Sequence, residues 1–265
     1  MKYLFSHAEE LFSKIKNSRQ VFLFLDYDGT LTPIVSRPQL ARLSPSLKKI
    51  IKNLNTHPRL NIAIISGRSL QDVKKMVGIR GLVYAGNHGL EIEQGSRRIK
   101  KSTGPSSRSL IKNITLYLKA VLGGIKGVIV EDKGPTLSVH FRMAKPEHRA
   151  KIKAIFNKIL KPYITSQRIR VTSGKMVLEA RPAVEWHKGR AVMAILGRNK
   201  ALPIYIGDDL TDIDAFRAIK GKGVSIFVGM PKKNIKADYY LKDTKEVKLF
   251  LKQLLFTSSA RRCKM

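Results

Sequence analysis

Cysteine is all but missing from this chain. A single one, Cys263, stands near the end of 265 residues. One thiol can close no internal disulfide framework and build no Cys-rich zinc site, so Cys263 is read as a free tail thiol. Aromatic residues are scarce at 7%, and they do not interleave with the basic ones as a base-stacking platform requires. Long apolar runs are also lacking. The run Val21 to Leu25 is stopped at once by Asp26, and nothing approaches the ~20 apolar residues of a membrane helix. The opening MKYLFSHAEELFSK mixes acids and bases and has none of a signal peptide's continuous apolar stretch, so a cytoplasmic protein without membrane association is expected. Acids are few: 19 Asp and Glu against 51 Lys and Arg give a formal charge of +32. Such a surface attracts anions. The basic residues are dispersed, so nucleic acid is expected only as a non-specific, salt-sensitive contact.

What is present is enough apolar material, 43% of residues, to bury a sizeable core. Short β-rich runs alternate with amphipathic stretches, the pattern of an α/β fold with a parallel sheet and crossover helices. The pattern predicts strands at Gln20–Leu25, Leu60–Ile65 and Leu82–Ala85, with helices at Pro45–Leu54, capped by Ser44, and at Leu70–Val77. After Gly89 the rhythm changes. A hairpin at Gly95-Ser96, a helix to Leu122, strands Val128–Glu131 and Thr136–Arg142, a helix Pro146–Leu160 and two strands turning at Ser173-Gly174 read as an α+β insertion over 90–180. The alternation then resumes with helix Lys188–Leu196, strand Pro203–Ile206, helix Thr211–Ala218, strand Val224–Val228 and helix Lys245–Leu255. Residues 1–89 and 181–265 thus form one core unit, and the tail SSARRCKM is expected to fray.

The strongest local signal is LDYDGTL, where an apolar strand delivers Asp26 and Asp28 into a Gly-Thr turn. Strand ends are where open α/β sheets place their sites. Of two such carboxylates, one can attack while the other handles protons. A second acidic segment, GDDLTDIDAF, follows another strand and holds Asp208, Asp209, Asp212 and Asp214. Six of the chain's 19 acids therefore crowd into two short strand-end segments. Such crowding calls for a cation, and hard oxygen ligands suit Mg²⁺. In IISGRS, Ser66 and Gly67 offer a hydroxyl and backbone N–H groups to a phosphate. In WHKGRA, Lys188 offers an ammonium at a helix start.

DYDGTLTPI, ISGRS, the Lys188 segment and GDDLTDIDAF together resemble the four ordered motifs of the haloacid dehalogenase-like (HAD) phosphatases. Within that superfamily, YAGNHGLEI, VEDKGPTLSVHFR, KMVLEARP and EWHKGRA resemble segments of the trehalose-6-phosphate phosphatase family. The resemblance implies a Rossmann-like HAD core with an inserted α+β cap that sets substrate specificity. It implies that Asp26 is the nucleophile that becomes phosphorylated, and that Asp28 gives a proton to the leaving sugar and then takes one from water. Mg²⁺ would sit on Asp26, the Asp28 backbone carbonyl and Asp208, supported by Asp209 or Asp212. Ser66 and Lys188 would hold the transferred phosphoryl group. In the cap, Glu131, Lys133, Lys175 and Glu179 lie at sugar-contacting segments, with Arg68, Asn87, His88, His140 and Arg142 as lesser candidates.

The core motifs fix chemistry and only the cap fixes the sugar, so the alternative within the superfamily is another glycosyl phosphate, of glucosylglycerate or sucrose. A basic nucleic-acid-binding protein on a HAD-like core is the distant alternative. Any trehalose-6-phosphate synthase partner is expected to be a separate chain.

Overall fold

The computed structural model describes residues 1–100 and 105–259. Cys263 and the tail after Ser259 lie outside them. Strand β1 (Lys2–Tyr3) and helix α1 (Ala8–Asn17) open the chain, followed by β2 (Val21–Asp26), α2 (Pro45–Asn55), β3 (Leu60–Ile65), α3 (Leu70–Val77), β4 (Val83–Gly86), β5 (Glu91–Gln94) and β6 (Arg97–Lys100). Then come α4 (Pro105–Leu122), β7 (Ile129–Asp132), β8 (Leu137–His140), α5 (Pro146–Thr165), β9 (Ile169–Gly174) and β10 (Val177–Pro182). The last stretch holds α6 (Lys188–Leu196), β11 (Leu202–Gly207), a 3₁₀ turn (Leu210–Asp212), α7 (Ile213–Ile219), β12 (Val224–Val228), β13 (Tyr239–Leu241) and α8 (Thr244–Ser259). Among the described residues, no helix is long and apolar enough to cross a membrane.

The chain divides into two compact units, Met1–Lys100 with Trp186–Met265, and Lys101–Glu185. The first is built on a nine-stranded sheet in the order β1-β13-β12-β11-β2-β3-β4-β5-β6. From β1 to β4 every pairing is parallel, and β5 and β6 are antiparallel additions. β2 lies at the centre, buried at all six positions, because successive side chains enter two different cores. Leu23 and Leu25 pack with Leu11, Ile51, Val73 and Phe250 of α1, α2, α3 and α8. Phe22 and Phe24 pack with Val192 and Phe216 of α6 and α7. From β2 the chain steps outward to β3 and β4 on one side, and from β11 to β12 and β13 on the other. This reversal of winding between β2 and β11 opens a crevice at the strands' carboxyl ends.

The hairpin β5–β6 continues this large sheet, although the change of rhythm after Gly89 reads as the start of the insertion. Ile92 pairs with Ala85 of β4 and is buried in the same core as Phe22 and Phe24, which ties the hairpin to the first unit. The second unit is a four-stranded antiparallel sheet, β7-β8-β10-β9. One face is covered by α4 and α5, whose Ile111, Leu118 and Phe156 pack on Val139 and Leu178. The β9–β10 turn falls at Lys175-Met176 rather than Ser173-Gly174. Gly174 stays in register opposite Val177, and Met176 takes the left-handed conformation with φ 68°.

Candidate active site

The strand order sets three side chains side by side before any chemistry is invoked. Asp26 ends β2 in register with Ile65 of β3, so Ser66 follows at the neighbouring strand end. Asp208 follows β11 on the other flank of β2. The turn after β2 carries Gly29 at φ +90°, and a Cβ there would stand 2.2 Å from Asp208 Oδ2. Gly29 thus both permits the left-handed turn and vacates the space the Asp208 carboxylate occupies. Gly207 likewise leaves room for Asp212, whose Cγ lies 2.3 Å from where a Cβ would be.

Asp26, Asp208 and Asp212 form a buried cluster in which one carboxylate oxygen from each lies within 4.8 Å of the others. Lys188, the first residue of α6, donates at 2.7 Å to Asp26 Oδ1 and at 2.7 Å to Asp212 Oδ1. Burial alone would lower the Lys188 ammonium, but the Asp212 and Asp26 carboxylates more than reverse this and hold it charged. Burial pushes the Asp26 carboxyl well above its usual range and Lys188 pulls it back, while Asp212 and Asp208 add to the push. Three buried carboxylates converge here with the Lys188 ammonium, and a small hard divalent cation fits the oxygen donor set.

Asp212 is heavily bonded. Besides Lys188, it accepts the Tyr205 hydroxyl at 2.7 Å on Oδ1 and the backbone N–H groups of Asp208 and Asp209 on Oδ2. Tyr205, which no motif singles out, is fully buried, and burial together with Asp212 raises its hydroxyl well above the ordinary range. Asp209, read in the sequence as a metal-site residue, instead caps the 3₁₀ turn and accepts from Leu210 N at 2.8 Å. Between the two supporting candidates, the structure therefore brings Asp212 into the cluster. The turn that Asp209 begins carries Asp212 back over the strand end.

Asp28 is half-buried and its carboxylate is held by Arg68, Nε to Oδ2 and Nη2 to Oδ1, both at 2.7 Å. Arg68 also donates from Nη1 to Asp72 Oδ2 and from Nη2 to the Pro38 carbonyl, again at 2.7 Å. A residue read as a substrate contact is thus committed to protein partners. Ser66 is buried, and its Oγ accepts the backbone N–H of Arg68. The first turn of α3 is capped by Ser69, which accepts from Asp72 N. Asn87 and His88 are consecutive left-handed residues at φ 51° and 56°. Asn87 Nδ2 donates to Glu91 at 2.9 Å, and the His88 ring lies against Gly67, 2.8 Å from where a Cβ would be. Backbone in this region is costly for side-chain-bearing residues and is a mark of functional loops.

In the second unit, the sheet face away from α4 and α5 carries the remaining candidates. Glu131, Ser138 and Glu179 stand in one row across β7, β8 and β10. Lys133 lies 3.4 Å from Glu179, both nearly buried, and His140 Nε2 lies 2.8 Å from Glu131. Lys175 is at the β9–β10 turn, where its carbonyl accepts from Arg142.

The family model described as trehalose-phosphatase matches residues 24–245. Trehalose-phosphate phosphatase B of Arabidopsis thaliana is 32% identical over 95% of this chain and 71% of its own length. Trehalose 6-phosphate phosphatase RA3 of Zea mays is 34% identical over 92% of this chain and 72% of its own. Among solved structures, the C-terminal domain of C. albicans trehalose-6-phosphate phosphatase superposes with a TM-score of 0.81 at 25% identity, covering 94% of this chain and 96% of that one. With strand-end carboxylates, a buried lysine and this extent of match, the chain belongs to the trehalose-phosphatase family.

Proposed function

We propose that this protein is a Mg²⁺-dependent phosphatase that hydrolyses trehalose 6-phosphate to trehalose and phosphate through a phosphorylated Asp26. The observation that carries the reading is the buried set of Asp26, Asp208, Asp212 and Lys188 at adjacent strand ends. Asp26 Oδ attacks phosphorus, the ester oxygen leaves with the sugar, and Asp28 supplies its proton. Water then attacks the phosphorus of the phosphorylated Asp26, Asp28 takes the water's proton, and the Asp26 carboxylate returns with release of phosphate. Asp26 and Asp208 would hold Mg²⁺ with Asp212 in support, and the ion supplies charge neutralisation for the phosphoryl oxygens and orients them. Lys188 adds a fixed positive charge to the same oxygens, and Ser66 adds a hydroxyl. The second unit acts as a cap, its row of Glu131, Ser138 and Glu179 with Lys133 meeting the sugar hydroxyls.

The test is phosphate release with Mg²⁺ from trehalose 6-phosphate, sucrose 6-phosphate, glucosylglycerate phosphate and glucose 6-phosphate, with Asp26→Asn alongside. Preference for trehalose 6-phosphate and loss of turnover in Asp26→Asn are expected. Preference for another ester overturns the cap assignment, and normal turnover by the variant overturns the nucleophile.

A further inference from the structure

Arg68 is densely engaged close to the reacting groups. It is 8% exposed, lies over the Tyr27 ring at 5.4 Å, and donates four hydrogen bonds of 2.7 Å to Asp28, Asp72 and the Pro38 carbonyl. Guanidinium has five N–H donors in a rigid plane, so four such bonds fix it in one orientation. Asp72 lies on the first turn of α3, four residues after Arg68, and its backbone N–H is itself fixed by the Ser69 cap. A rigid helix end therefore holds Asp72, Asp72 holds Arg68, and Arg68 holds both oxygens of Asp28. The Asp28 side chain is 36% exposed, open to water on its remaining side.

We infer that Arg68 and Asp72 form a positioning relay that fixes the Asp28 carboxylate for the water-activating half of the reaction. The inference rests on the roles given to Asp26 and Asp28 above. The geometry selects that half of the reaction. Two parallel N–H donors engage a carboxylate with both oxygens free of hydrogen, which is the form that accepts a proton. A carboxyl group delivering a proton to the sugar carries it on one of those oxygens and gives up one of the two bonds. In the hydrolytic step a water oxygen bonds to the phosphorus on Asp26, the bond from phosphorus to Asp26 Oδ breaks, and the water's proton passes to Asp28. Neither Arg68 nor Asp72 touches the reacting atoms; both act through Asp28.

The test is rapid acid quench with Mg²⁺ and trehalose 6-phosphate labelled in its phosphate, following labelled protein, trehalose and free phosphate in wild type, Asp28→Asn, Arg68→Lys and Asp72→Asn. In Asp72→Asn and Arg68→Lys the relay predicts a burst of one trehalose per chain at near the wild-type rate. Labelled protein then accumulates, and phosphate release is slower by about 10–100-fold, the usual cost of removing an outer supporting partner. KM for trehalose 6-phosphate falls with kcat, as it does when a second step becomes limiting. Asp28→Asn removes the proton for the leaving sugar as well and should slow both phases, and adding Asp72→Asn to it should slow phosphate release no further. Asp72 is partly exposed, and Asn keeps its shape, so this variant carries the test should Arg68→Lys not fold. In Asp72→Asn, unchanged phosphate release, or both phases slowed together with no labelled protein, overturns the relay. Absence of labelled protein in every chain, wild type included, with turnover surviving in Asp26→Asn overturns the nucleophile reading itself and the relay with it.

Discussion

Gly29 holds two requirements at one position, a backbone at φ +90° and an empty space against Asp208. Gly29→Ala meets neither. Backbone strain of about 1–3 kcal/mol leaves a domain of this size folded, while the added methyl pushes the Asp208 carboxylate out of the cluster. The expected result is a folded protein by circular dichroism that binds Mg²⁺ far more weakly by calorimetry; wild-type affinity would show that Asp208 does not hold the ion. A second pair of substitutions separates neighbouring acids. Asp209→Asn replaces one good cap by another and should leave Mg²⁺ affinity unchanged. Asp212→Asn removes the charge that Lys188, Tyr205 and two backbone N–H groups converge on, and should weaken Mg²⁺ binding about 10–100-fold. Equal effects in the two would contradict the geometry. The acids themselves were legible as two strand-end segments. What was not legible is which of them meet. The Asp28–Arg68 pair spans 40 positions and Lys188–Asp26 spans 162, and no local pattern encodes such pairings. Tyr205 gave no signal at all, because a tyrosine in an apolar strand reads as core.

Most elements were readable because their punctuation is strong. Pro45 at the first position and Ser44 before it announce α2, and Ser44 Oγ does accept Leu47 N at 3.3 Å. Ser44→Ala should cost about 1 kcal/mol, a fall of about 2–4 °C in Tm for a chain of this length, with phosphate release unchanged. A calorimetric scan beside an activity assay checks both halves, and a loss of activity at unchanged Tm would contradict a purely local role. Elements were missed where signals are short. β1 and β13, two and three residues long, pair with each other at the sheet edge, and their tyrosines also suit a loop. α5 runs past Pro162 to Thr165, and α8 begins at Thr244 and runs to Ser259, beyond the ends their apolar periodicity suggests. Ser173-Gly174 has the composition of a turn, yet the two-residue connection lies two residues later, at Lys175-Met176. The β9 residues keep their register with β10 through Gly174, and ladder hydrogen bonds outweigh turn propensity there.

The excess positive charge belongs to the whole molecule. Residues 101–185 carry 17 Lys and Arg against 5 acids, and the remainder carries 34 against 14. Both units are therefore strongly basic, +12 and +20, rather than one bearing a dedicated patch. A field of this size draws in any small anion and is screened over about 8–10 Å at physiological salt. For an anionic ester the consequence falls on capture rather than chemistry. Raising KCl from about 0.05 to about 0.3 M should lower kcat/KM several-fold while kcat, set inside a buried site, changes little. The same field should bind heparin with a steep salt dependence that Asp26→Asn leaves intact, since that binding does not need the reacting group. A heparin affinity lost together with Asp26, or a salt effect on kcat equal to that on kcat/KM, would move the charge from the surface into the mechanism.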